Sequence, residues 1–170
     1  PPVTTTTGRP RQLGDDATRL SVTELRDYMT LDPMAYTGVA ARGEQVYAKA
    51  MCAACHKHGD IGQEFGPDLT ELAQRFGRTD LLDAILTPSK SISDQWSAVE
   101  FVTRGKKVVA GVIVSETADK VVVQPVGAPP VTLAVKDIQS RATAKVSPMP
   151  EGLLNTLTMQ EISDLLAFLE

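Results

Sequence analysis

Cys52, Cys55 and His56 stand together in "AMCAACHKHGD", and the chain of 170 residues has no other cysteine. Two thiols three residues apart on a tight turn can each form a thioether to a vinyl group of one porphyrin. The imidazole that follows directly then meets the iron from the same side. C-x-x-C-H is the attachment pattern of c-type haem, with Cys52 and Cys55 as covalent anchors and His56 as proximal ligand. Three other chemistries use the same residues. A zinc site could recruit Cys52, Cys55 and His58, but structural zinc takes four closed ligands and the chain has no second Cys or His pair. A thioredoxin-like redox motif belongs after a strand in a βαβ unit. A disulfide across so short a loop is strained.

On the haem reading, His58 is two residues past the proximal ligand and reads as a surface residue. The sixth ligand comes from elsewhere, and Met is the usual partner of His in electron-transfer cytochromes. The five candidates are Met29, Met34, Met51, Met149 and Met159. Met51 is tied to the proximal side by Cys52, and Met159 opens the apolar face of the last helix, so both read as core. Met29 and Met34 lie ahead of the part that carries the motif. Met149 is held between Pro148 and Pro150 in "SPMPEGLL", where the prolines stiffen an extended segment that presents one side chain. A Gly66-Pro67 turn follows the motif, placed to offer the Pro67 carbonyl to the free nitrogen of His56. Trp96 and Arg75 are candidates to touch the porphyrin or its propionates, although core and surface roles are open to each.

These residues need elements to position them. The opening "PPVTTTTGRPRQLGDD" is rich in Pro, Thr and Gly and reads as a linker. "SVTELRDYM" begins with the capping box Ser21 and Glu24, which predicts a short helix ended by Asp32-Pro33. Val46, Tyr47, Ala50 and Met51 recur at helical spacing, so a helix from about Val39 runs directly into "CAACH". "GPDLTELAQRF" predicts a turn and a second short helix. "RTDLLDAILTPSK" predicts a third, opened by Thr79 or Asp80 and stopped before Pro88. After Trp96 the period becomes alternating, rich in Val, Ile and Thr, which predicts a meander of about four strands. Helix returns at "LTMQEISDLLAFLE", with the capping box Thr158 and Glu161 and a staple of Leu157 on Ile162.

Composition narrows the function classes. The net charge is -4, which argues against a nucleic-acid binder. Residues 91–145 carry 7 basic and 5 acidic side chains, whereas residues 146–170 carry 0 and 4. No run approaches the roughly 18 apolar residues that span a bilayer, and no signal segment opens the chain, so it reads as a mature protein or an excised domain.

Together, "CAACH", "GPDLTELA", "LLDAILTPSKSIS" and "SPMPEGLLNTLTMQEISDLLAFL" resemble the class I cytochrome c family. More closely, the chain resembles the haem-binding domain described in Pirellula and Verrucomicrobium, found at the C-terminus of large predicted dehydrogenases. The resemblance covers about residues 40–170. It departs from that pattern at Trp96, where the family often has Tyr, and in residues 1–38, which have no counterpart. It implies a mainly α cytochrome c fold with an inserted small antiparallel β-sheet, α+β overall. The expected domains are a linker or extension over 1–38 with a short helix, and a cytochrome c domain over 39–170 interrupted by a β-rich insertion at about 95–140. It also implies that Gly43 lets the first motif helix cross closely against the last, near Val46, Tyr47 and Phe168.

The function expected is one-electron transfer by one covalently bound haem c with His56 and Met149 as axial ligands. The protein would not itself be an enzyme. Its partners would be redox proteins, a dehydrogenase donor (fused or separate) and a cytochrome or oxidase acceptor, with no nucleic acid and no membrane span. Covalent attachment of haem takes place outside the bacterial cytoplasm, so the resemblance implies a periplasmic or otherwise exported location. Two alternatives stay open: a haem-based sensor or peroxidase-like protein with an open or labile distal site, and a zinc-stabilised interaction domain.

Overall fold

The computed structural model describes residues 22–170, so Ser21 and the opening linker lie outside the described residues. The chain divides into two compact units, one running to Thr87 and resuming over Glu151–Glu170, the other spanning Pro88–Pro150.

The first unit contains α1 (Val22–Leu31), α2 (Ala40–Lys49), α3 (Arg78–Leu86) and α4 (Met159–Leu169). Its short hairpin pairs β1 (Lys57–His58) with β2 (Ile61–Gly62). Thr158 caps α4: its hydroxyl accepts from the Glu161 N–H, and the Glu161 carboxylate accepts from the Thr158 N–H at 2.8 Å. Leu157 and Ile162, at the two ends of the staple, are both fully buried. α2 crosses α4 at Gly43, where an added Cβ would stand 2.0 Å from the Asp164 carbonyl oxygen and 2.6 Å from the Phe168 Cβ. The backbones can meet there only because Gly43 has no side chain. Asp164 binds the same junction, accepting from the Val39 N–H and from Nε and Nη2 of Arg42. Burial alone would raise its carboxyl; these bonds outweigh burial and hold it below the ordinary carboxylate range.

α1 and the 3-10 turn after it (Pro33–Tyr36) belong to this core, since Leu25, Met29 and Ala35 are fully buried. Buried Arg78 ties them to α3. Its Nε donates to the Met29 carbonyl at 2.9 Å, its Nη2 to the Ala35 carbonyl, and its Nη1 to the Glu170 carboxylate.

Where a second helix was expected, residues 66–76 form only a 3-10 turn, Leu72–Gln74. The preceding donors are spent on other partners: the Leu69 N–H on the Lys57 carbonyl, the Thr70 N–H on the Asp68 carboxylate. α3 starts at Arg78 with Gly77 as cap, and Asp80 reaches back to accept the Gly77 N–H at 3.1 Å.

The second unit is a five-stranded antiparallel sheet of β3 (Ala98–Thr103), β4 (Val108–Glu116), β5 (Lys120–Gln124), β6 (Val131–Ala134) and β7 (Ile138–Thr143), in the order β6-β5-β4-β3-β7. Phe101, Val109, Val121, Val123 and Leu133 form its own core. β7 is the strand beyond the four expected; beyond Ile138 it is exposed along its length, so it has none of the alternation that marks a half-buried strand.

The expectation of a mainly α fold is therefore overturned. Among the described residues 37% are helical and 24% lie in strands, and the β residues form a unit with its own core. The alternating Val and Ile positions of residues 98–134 bury enough apolar surface to organise a compact unit themselves.

Candidate functional site

The motif sits where α2 ends. Ala50 caps α2, and Met51 then takes a left-handed backbone at φ 63, turning the chain into the 3-10 turn Cys52–Ala54. The His56 N–H donates to the Cys52 carbonyl at 2.8 Å, closing the loop that sets both sulfurs and the imidazole on one short turn. Met51 corrects the core reading, for its side chain is 66% exposed. The left-handed turn points it away from the apolar face that α2 presents at Val46 and Tyr47. Left-handed backbone costs a non-glycine residue about 1 kcal/mol, and an exposed Met offers little packing in return. Met51→Gly is therefore expected to raise unfolding stability by about 0.5–1 kcal/mol, read as a shift in denaturant midpoint at constant slope.

Both cysteines are free and partly buried. Burial pushes the Cys52 thiol up to about 11 and raises Cys55 as well. They are thiols at neutral pH, unlike the low-pKa thiolates of disulfide oxidoreductases or metal sites. Among the described residues no group of three or more His, Cys, Asp and Glu side chains is arranged to hold a metal ion.

His56 is fixed at both ends. Nδ1 lies 2.8 Å from the Pro67 carbonyl oxygen. A carbonyl only accepts, so Nδ1 carries the proton and Nε2 keeps the lone pair. Gly66 lies against the ring, where an added Cβ would stand 2.7 Å from Cε1. At the other end the Tyr47 hydroxyl donates to the His56 carbonyl at 2.7 Å. Burial, with the nearby Cys52, Asp68 and Cys55, raises the Tyr47 phenol, so it stays a donor. Tyr47 packs on Phe168 with centroids 5.4 Å apart, which links the motif to the crossing of α2 and α4. His58 is half-buried, its ring 4.4 Å from that of Phe168. Helical spacing placed Tyr47 on the buried face of α2, but its bond to His56 was not legible, since nothing in the spacing says where a hydroxyl at the end of a buried ring points.

The other candidates belong to different elements. Arg75 is exposed, its guanidinium 5.7 Å over the Phe76 ring. Trp96 and Met149 belong to the second unit. Trp96 is half-buried at the end of a 3-10 turn, Asp94–Trp96. Met149 is half-buried in a bend; its N–H donates to the Ser147 hydroxyl, and the Ser147 N–H donates to the Ser89 hydroxyl, both at 3.1 Å.

Comparison with known families adds one finding: the Cytochrome c family model matches residues 40–110, from the start of α2 into β4. No curated protein matches the chain significantly. The family match supports a c-type cytochrome and implies covalently bound haem c. The residues present fit that group. Two thiols on one short turn can anchor the porphyrin, an imidazole with Nδ1 engaged by Pro67 leaves Nε2 to bind iron, and Gly66 stands close enough to the ring that a side chain there would collide with it.

Proposed function

We propose that this chain is an electron-transfer module, holding haem c through Cys52 and Cys55 with His56 and Met149 as the axial ligands. The observation that carries the reading is the engagement of His56 Nδ1 by the Pro67 carbonyl beside two thiols, which fixes the tautomer and the plane of the imidazole. Bound haem would supply the one-electron ferric–ferrous couple.

The chain's own residues do the rest. Pro67 raises the basicity of Nε2, and Gly66, having no side chain, leaves the space that the ring occupies. Tyr47 holds the His56 backbone, so the ligand is tethered to the α2–α4 crossing and keeps its place in both oxidation states. Pro148, Pro150 and the Ser147 hydroxyl stiffen the Met149 segment, which stands two residues before the chain re-enters the first unit at Glu151. A thioether ligand raises the potential relative to a second imidazole. Trp96 and Arg75 are the residues proposed to meet the porphyrin edge or its propionates. The role needs no general acid, base or nucleophile.

In the cell, the module would receive electrons from a dehydrogenase, fused or separate, and pass them to a cytochrome or oxidase, in the periplasm or another exported location. No helix among the described residues is long and apolar enough to cross a membrane.

The test is the ferric optical spectrum of the parent and of Met149→Ala. The weak band near the red end, which reports sulfur bound to ferric iron, should be present in the parent and absent in the variant, and the variant's potential should fall. A band that survives in Met149→Ala removes Met149 from the ligand set.

A further inference from the structure

The β3–β4 turn and the 3-10 turn between β6 and β7 (Val135–Asp137) converge on one surface of the second unit. The Arg104 N–H donates to the Asp137 carbonyl at 2.8 Å, and its Nε to the Lys136 carbonyl at 3.0 Å. These bonds bring Lys136 beside a turn that carries Arg104, Lys106 and Lys107. All four cations are exposed. Arg26, Arg42, Lys49, Arg78 and Arg141 each meet a carboxylate, whereas none of these four does among the described residues. Asp137 is the one acidic side chain in the two turns; the adjoining β4–β5 turn, whose Asp119 carbonyl accepts from the Val135 N–H, adds Asp119 and Lys120, which cancel, so the local charge is +3 in a chain of net -4. Val108 (57% exposed) and Val135 (38% exposed) flank the cations.

The conformation of Lys106 is a separate observation. It is held at φ 62, left-handed, directly after Gly105. This is the position where a hairpin of this kind takes glycine. Here glycine stands one residue earlier, and a lysine is kept at the strained position. Such outliers collect where a side chain has a task beyond folding.

We propose that Arg104, Lys106, Lys107 and Lys136, with Val108 and Val135 beside them, form a docking surface for an acidic protein partner. The net charge of the chain decides the class of partner. Duplex DNA and an anionic bilayer present extended negative surfaces, which would meet the acidic remainder of the molecule too. A protein carries its carboxylates in a patch, and can meet the cationic turn alone while packing small apolar side chains on the two valines.

The experiment uses the full haem-loaded chain and a labelled glutamate homopolymer of about 20 residues, followed by fluorescence anisotropy at low and high salt. Lys106→Glu/Lys136→Glu should weaken binding at least about tenfold at low salt, and the difference should shrink as salt screens it. The charge-matched control Lys90→Glu/Lys145→Glu, in the same unit but outside both turns and the strand pair beside them, should weaken it less than about threefold. Lys106→Gly separates charge from folding: it relieves the left-handed strain, so it should bind more weakly while unfolding at a higher denaturant concentration. Equal losses in the two double variants would overturn the proposal, as would a parent that does not bind the peptide. So would tighter binding to a 20-base-pair duplex, or to phosphatidylserine vesicles, with the same dependence on Lys106 and Lys136.

Discussion

Arg78→Met should lower the stability of the haem-loaded protein by about 3 kcal/mol, with a fall in Tm of roughly 10 °C. The arginine is buried and its guanidinium serves three partners: the Met29 carbonyl, the Ala35 carbonyl and the Glu170 carboxylate. Methionine keeps most of the apolar stem but strands both carbonyls, each of which then costs about 1–2 kcal/mol. The Glu170 side chain is 36% exposed and can rehydrate, so the loss falls at the lower end of the range for broken buried pairs. The guanidinium also lies 4.5 Å over the Tyr36 ring, a contact that methionine replaces only in part. A loss under about 1 kcal/mol, measured by denaturant unfolding, would mean that α1 and the turn after it are held by apolar packing alone.

Gly43→Ala should destabilise by about 2 kcal/mol. Alanine in place of glycine inside a helix gains about 1 kcal/mol of propensity, but the added methyl collides with a backbone oxygen, which cannot swing aside as a side chain would. Separating α2 from α4 costs about 3 kcal/mol as overpacking, and overpacking wins. The displacement also pulls on Tyr47 and Phe168, so it should broaden the signals of the His56 environment in NMR. A neutral or stabilised variant would contradict the close crossing.

What the sequence discloses follows the range of the interactions. The capping box at Thr158 and Glu161 is local, and so is the helix from Ala40 into the motif; both were legible from spacing. The alternation of residues 98–134 revealed most of the sheet for the same reason. β7 was hidden because a polar edge strand takes its identity from pairing with β3, not from its own pattern. The short helix expected after the Gly66-Pro67 turn failed because Leu69 gives its N–H to the Lys57 carbonyl and Thr70 gives its N–H to the Asp68 side chain, not to helical carbonyls. Arg78 reads as an ordinary surface cation, and only the return of α1 and Glu170 to its side makes it a buried hub. Within the site, Cys52, Cys55 and His56 are legible because their spacing is the chemistry. Met51 was misread because an exposed left-handed turn breaks the period of the helix before it; Tyr47 was placed on the buried face, but its bond to His56 was missed because it depends on where a buried ring ends.

The most direct measurement is the absorption spectrum of the chain matured in a host that attaches haem c, unfolded in alkaline pyridine and reduced, after extraction with acidified organic solvent. The account predicts that haem stays with the polypeptide and gives the band position of a porphyrin with both vinyl groups saturated, and that Cys52→Ala/Cys55→Ala loses all of it. Haem that extracts from the parent, or a parent of this kind without haem, would contradict the electron-transfer reading at its root.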